Sequence, residues 1–164
     1  MRKIKLYEKI KVIGHVKVYL FPADLVPDKE TFKKLTDEEK SKYLVADDHN
    51  TITLFGLNLI PIILSGGTNT LLFCAVGTGT PTATALGAEI AARVGVTWDY
   101  AINNEYHIDT FYGKFEPDSV SHVLTETGLF NQLAAGGEMY ASKTISFTKD
   151  TTVTMAVQWT WSFA

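Results

Sequence analysis

The sequence holds one cysteine, Cys74, in 164 residues. An internal disulfide and a cysteine-rich zinc site are therefore excluded. Cys74 lies inside the run Leu71-Leu72-Phe73-Cys74-Ala75-Val76, where a buried, inert thiol is the expectation. Long apolar runs are missing as well. The strongest, residues 52–64, is interrupted by Gly56, Asn58 and Pro61 and falls short of the ~20 residues a membrane-spanning helix needs. The N-terminus carries cations but no apolar stretch of the secretory type, so a soluble protein made in a cytoplasm is expected, with no membrane partner. Positive charge is not in excess: 15 Lys and Arg stand against 18 Asp and Glu, and no general attraction to nucleic acid follows. The one local exception is the opening segment, where Arg2, Lys3, Lys5, Lys9, Lys11 and Lys17 face a single Glu8.

Aromatics are plentiful, with nine Phe, seven Tyr and three Trp, and hydrophobic residues make up 46%. That bulk suits one domain spanning residues 1–164 with a well-filled core. The clearest signal is at the end of the chain. Val153, Met155, Val157, Trp159, Trp161 and Phe163 alternate with Thr152, Thr154, Ala156, Gln158, Thr160 and Ser162. A period of two over this length is a long β-strand with one apolar and one hydroxyl-rich face, and burying two Trp and a Phe makes it a central one.

Residues 4–21 alternate more loosely and read as one or two strands ending at Pro22. A charged insert, residues 28–44, follows. Thr36 and Glu39 have capping-box spacing, and Phe32, Leu35 and Tyr43 form a thin apolar stripe, so one or two short surface helices are predicted. Asp47-Asp48-His49-Asn50 reads as loop punctuation. Residues 51–55 suggest a short strand; residues 56–64 suit either a buried helix or a strand, and Pro61, tolerated in a first helical turn, tilts the reading toward a short helix. Residues 65–69 form a turn, 71–76 a buried strand, and 85–94 a short helix or ordered loop. Beyond that the pattern is all β: strands at 96–101 and 106–115 about a turn at Asn103-Asn104, and one within 120–130. A turn at residues 134–137 leads to short strands at 138–141 and 143–147, and a turn at Lys149-Asp150 precedes the last strand. The fold class is mainly β, an antiparallel sandwich or barrel with one or two short helices and the helical insert.

Candidate chemistry is sparse. Gly77-Thr78-Gly79-Thr80 follows a strand but lacks both the third glycine of a dinucleotide loop and the Gly-Lys-Ser/Thr of a P-loop; a tight turn needing glycine dihedrals explains it better. Glu105, His107 and Asp109 alternate in a divalent-metal arrangement, yet a solvated strand face is the simpler reading, and His15, His49 and His122 add no paired spacing. No Gly-x-Ser-x-Gly elbow is present. Glu116 and Glu126 are two carboxylates of the kind almost any β protein offers a glycosidase argument. Trp98, Trp159 and Trp161 read as core rather than as sugar platforms. Nothing here rises to an enzyme, and no cofactor is implied.

One ordered set of motifs discriminates. Gly56-Leu57-Asn58-Leu59-Ile60, Ala75-Val76-Gly77-Thr78-Gly79-Thr80-Pro81 and Thr84-Ala85-Leu86-Gly87-Ala88-Glu89-Ile90 come first. Glu126-Thr127-Gly128-Leu129-Phe130-Asn131, Gly136-Gly137-Glu138-Met139-Tyr140-Ala141 and the closing Thr-rich strand come after. The set resembles a family of small structural proteins of tailed bacteriophages over roughly residues 54–163. Arg93 fills the family's arginine position one residue late, and the 28–44 insert is longer than the hairpin expected there.

The resemblance implies a non-enzymatic virion protein, assembled in the host cytoplasm, with no catalytic residues to carry over. A capsid decoration or cementing protein on the outer surface of the major capsid lattice is the leading expectation; a tail or fibre component binding a host receptor or glycan is the alternative. Partners are then the major capsid protein or another virion protein, and the chain itself, with a homotrimer favoured by symmetric capsid positions. Assembly contacts are expected at Lys3, Lys5 and Lys11 of the basic opening strand, at the insert, and at Gly77, Thr78, Gly79, Thr80 and Pro81. Many weak contacts repeated over a lattice add through multivalency.

Overall fold

The computed structural model describes residues 12–25, 28–64, 72–102 and 107–163. Lys3, Lys5, Lys11, Glu105 and the turns at 65–69 and Asn103-Asn104 lie outside the described residues, as does the side chain of Trp98. In chain order the elements are β1 (Val12–Pro22), a 3-10 turn (Ala23–Leu25), α1 (Lys29–Lys34), α2 (Asp37–Ser41), β2 (Leu44–His49), β3 (Thr51–Ile52) and α3 (Leu54–Leu64). They continue with β4 (Phe73–Gly77), β5 (Val94–Ile102), β6 (His107–Phe115), β7 (His122–Phe130), β8 (Met139–Lys149) and β9 (Val153–Phe163). Among the described residues no helix is long and apolar enough to cross a membrane.

Every ladder is antiparallel, and the strands run in the order β2-β1-β9-β6-β5-β4-β7-β8-β3. The two ends of that order are neighbours in sequence. Asn50 alone separates β2 from β3, so one extended segment pairs first with β1 and then with β8. The sheet thereby curls into a nearly closed barrel. Its thin seams are between β4 and β5, joined at Phe73↔Gly95 and Cys74↔Val94, and between β3 and β8, joined at Thr51↔Ser142 and Ile52↔Ala141. At the corner Asn50 presses on Gly14, where a Cβ would lie under 3.0 Å from the Asn50 side chain. The Asn50 backbone N–H donates to the Gly14 carbonyl at 3.2 Å.

β9 is central, as its alternation predicts. It pairs with β1 from Val153 to Phe163 on one side and with β6 on the other. Met155, Val157, Trp159, Trp161 and Phe163 are buried in the barrel interior with Val16, Val18, Leu124 and Leu129. Cys74 is there too, fully buried. Burial pushes its thiol up to about 11, against smaller opposing effects of the Trp159 indole and the Thr127 hydroxyl.

The charged insert folds as two short helices. Asp28 caps α1, accepting from the Thr31 N–H at 2.7 Å. Thr36 and Glu39 form the capping box of α2, with Glu39 accepting from the Thr36 N–H at 2.7 Å and Thr36 from the Glu39 N–H at 3.2 Å. The insert also covers something. Phe32 packs into a second, outer core with Tyr19, Phe21, Tyr112 and Ala156, and Leu35 and Tyr43 flank it. Its ring centroid lies 5.0 Å from that of Tyr112 and 5.1 Å from that of Tyr19. This is why Ala156, on the nominally polar face of β9, is buried as well.

Several expectations are corrected. Residues 47–49 are not loop punctuation but the end of β2, held by ladder pairing to β1. The strand expected at 51–55 stops at Ile52, and α3 begins at Leu54. Pro61 therefore lies inside the helix rather than in its first turn. It is tolerated because Leu57, whose carbonyl loses its intrahelical donor, sits on the exposed side. Residues 85–93 take the loop form, with β5 starting at Val94. The two strands expected at 138–141 and 143–147 are one continuous strand, β8.

Candidate functional site

The loop between β4 and β5, residues 78–93, lies over the outer face of β4 and β7. Alternation places Cys74 and Val76 inside the barrel and Ala75 and Gly77 outside, opposite Gly128 and Glu126 of β7. Glu126 is fully buried beneath the loop. Its Oε1 accepts from the N–H groups of Gly79 at 3.1 Å and Ala88 at 2.7 Å, and its Oε2 from that of Gly87 at 2.7 Å. The neighbouring Thr125 hydroxyl donates to the Gly79 carbonyl at 2.5 Å. A bridge between Gly77 and Glu89 closes the loop's base.

The glycines follow from this carboxylate. A Cβ on Gly77 would lie under 3.0 Å from both the Ala88 carbonyl oxygen and Glu126 Oε1; on Gly79 or Gly87 it would strike loop backbone. Among the described residues only Gly136 and Gly137 have positive φ, at 94° and 74°. The dihedral explanation for Gly77 and Gly79 is therefore replaced by close approach, while it holds for the β7–β8 turn. The N–H groups of Gly79, Gly87 and Ala88, which a bound phosphate would need, are already engaged by Glu126.

Arg93 fastens the far end of the loop. Its Nε and one terminal nitrogen donate to Glu89 at 3.0 and 2.6 Å, and the other terminal nitrogen donates to the Gln132 and Gly136 carbonyls at 2.9 and 2.8 Å. The guanidinium lies 3.6 Å above the Phe130 ring centroid. Leu86 fills a small apolar cluster with Ala75, Phe130 and Met139. Across the turn, the Glu138 N–H donates to Asn131 Oδ1 at 2.9 Å. Motif residues separated by up to sixty-four positions in sequence thus meet in one clamp.

What the clamp presents is a fixed rim. Thr78, Thr80, Thr82, Ala83 and Thr84 are exposed, and Pro81 is half-buried. The Thr82 hydroxyl donates to the Ala85 carbonyl at 3.0 Å and accepts from the Ala85 N–H at 3.1 Å, tightening the tip. Beside it runs a polar groove of ≈ 380 Å³ lined by His49, Pro81, Thr82, Ser142 and Lys143 among others. The Lys143 ammonium donates to Asp48 along the groove and, with the His49 N–H, holds the Asp48 carboxyl below its usual range. Of the expected contacts, Gly77, Thr78, Gly79, Thr80 and Pro81 are all in the clamp, but the glycines act inward and only Thr78, Thr80 and Pro81 reach its surface.

The other candidates disperse. His107 and Asp109 occupy alternate positions of β6, and among the described residues no group of three or more His, Cys, Asp or Glu is arranged to hold a metal ion. Glu116 pairs at 2.9 Å with Lys114, in a setting unlike that of buried Glu126. Trp159 and Trp161 are fully buried. The role of Glu126 was hidden in sequence, although a lone acid flanked by Leu124 and the Gly128-Leu129-Phe130 run was its trace. Also unforeseen are the exposed Leu54 and Leu57 of α3. No protein-family model matches the chain, and no curated protein matches it in sequence.

Proposed function

We propose that this protein is a non-enzymatic structural component of a bacteriophage virion, a decoration protein seated on the outer surface of the capsid lattice. The observation that carries the reading is the clamp. A buried carboxylate and a buried arginine are both committed to immobilising a surface loop, and the motifs of the phage-protein resemblance supply them. A loop held in advance loses little conformational freedom when it docks, so its contacts count more fully toward binding. Repetition over a lattice multiplies a modest contact. The exposed threonines suit hydrogen bonding to a partner without leaving an apolar patch in the free protein.

In this reading the docking contacts are Thr78, Thr80 and Pro81, the α1–α2 insert, and the basic opening segment with Lys3, Lys5 and Lys11. The protein self-associates, as a homotrimer at symmetric capsid positions. Co-sedimentation with capsids lacking the protein is the test. Saturable binding, weakened by Thr80→Arg at the rim, is expected. Absence of co-sedimentation at every salt concentration overturns decoration, and labelling at the tail of intact particles would move the protein to the tail or fibre reading.

A further inference from the structure

The barrel has an occupiable end. Where β4, β6 and β8 finish and β5, β7 and β9 begin, a cavity of ≈ 230 Å³ opens between the core and the connecting loops. Its floor is core side chain: Val76, Leu124 and Met155, none more than 2% exposed. Phe115, Ile90 and Val94 extend the apolar wall. Lys114, Glu116, Asp118 and His122 stand at its mouth, and of its charged side chains only Lys149 is buried. Lys149, the last residue of β8, is 5% exposed, and its Nζ has no hydrogen-bond partner among the described residues.

The carboxylates around it are engaged elsewhere. Asp118 holds His122 Nε2 at 3.3 Å and accepts from the Ser119 N–H at 2.7 Å. Glu116 holds Lys114 Nζ at 2.9 Å. Asp150 accepts from the Thr152 N–H at 2.8 Å and hydroxyl at 2.7 Å. They act on Lys149 only through space, and burial outweighs them, drawing its ammonium below the ordinary lysine range. A buried ammonium without an acceptor is costly, and an anionic oxygen brought beside it forms a charge-assisted hydrogen bond in a sheltered place. At the mouth Glu116 pairs with Lys114 and Asp118 with His122, and the inner wall of Val76, Ile90, Val94, Phe115, Leu124 and Met155 is satisfied by hydrocarbon. Barrel mouths with an apolar lining and one polar anchor are a recurrent setting for small ligands.

We propose that this cavity binds a short-chain organic monocarboxylate, its hydrocarbon against Val76, Leu124 and Met155 and its carboxylate on Lys149 Nζ. The size sets the class: the cavity is smaller than the roughly 300–1,000 Å³ that drug-sized ligands occupy, so a long lipid chain does not fit. The site shares Ile90 with the clamped loop but uses neither Glu126 nor Arg93, and it requires no assembly role.

Calorimetric titration of the full chain with octanoate and with octanol tests it. Both carry the same hydrocarbon length, so the difference reads the charge on Lys149. One-to-one binding of octanoate is expected, with octanol weaker by roughly tenfold to a hundredfold, the usual worth of a charge-assisted hydrogen bond. Lys149→Met keeps the stem and removes the ammonium; it should fold, and it should erase the preference for octanoate. Methyl resonances of Leu124, Met155 and Ile90 should shift on binding. No saturable octanoate binding, equal binding of octanoate and octanol by the unaltered protein, or shifts confined to other residues would each overturn the proposal. So would an octanoate preference undiminished in Lys149→Met.

Discussion

The Gly87 amide donates at 2.7 Å to the carboxylate of Glu126, thirty-nine residues later in the chain and wholly shielded from solvent. That bond, with those from Gly79 and Ala88, joins a surface loop to the barrel wall. It gives the loop between β4 and β5 a rigidity that regular secondary structure does not supply there.

Glu126→Gln keeps the shape of the side chain but turns an amide N–H₂ toward backbone donors. Loss of about 2–3 kcal/mol of folding stability is expected, the scale of hydrogen bonds to a charged group. Denaturant unfolding measures it. Hydrogen exchange should accelerate at Gly79, Gly87 and Ala88 and stay unchanged within β9.

Gly77→Ala places a methyl against the Ala88 carbonyl and Glu126, neither of which can yield without opening the clamp. A cost of roughly 2 kcal/mol or more is expected. Gly95→Ala is the control, because a Cβ there meets nothing within 4 Å; its effect should stay within about 0.5 kcal/mol. Equal effects in thermal unfolding would refute the close-approach account of Gly77.

Phe32→Ala removes the lid of the outer core and should cost about 3 kcal/mol. The insert contributes this through one aromatic ring. Thr36→Ala, which breaks only the capping box, should cost about 1 kcal/mol. Comparing the two by chemical denaturation separates covering the barrel from merely folding α2.

Burial, with smaller contributions from nearby carboxylates, pushes the phenols of Tyr19 and Tyr112 up to about 12 from an ordinary 10.0. Unfolded, they lose their protons first. Their contribution to stability is therefore complete below pH 10 and is lost as pH rises from there through about 12. Unfolding midpoints followed across that window should fall steeply. The double variant Tyr19→Phe with Tyr112→Phe should flatten the decline.

Much of the barrel is legible in sequence because its pattern is local. The period-two run from Val153 to Phe163, the Thr36–Glu39 capping spacing and the Gly136-Gly137 turn each state their structure within a few residues. What stays hidden depends on distant partners. Asp47-Asp48-His49 looks like a loop because its strand conformation comes from the ladder to β1, not from its own propensities. Leu86 and Ile90 have helical spacing, yet the N–H groups at Gly87 and Ala88 go to Glu126, and a helix never starts. The glycines of Gly77-Thr78-Gly79 advertise unusual backbone angles, whereas the real constraint is close approach, to Glu126 forty-nine positions from Gly77 and to the Gly87 and Ala88 backbone eight and nine positions from Gly79. Lys149 reads as a turn residue until β8 is seen to run to its end.

The segment that carries both β2 and β3 has a wider consequence. A chain that lends one short stretch to both rims of its sheet leaves less of either rim open as a template for a stranger's backbone. Copies crowded side by side are thereby steered to meet through loops and side groups. Dense packing of this protein can proceed without fusing its molecules into a common ribbon.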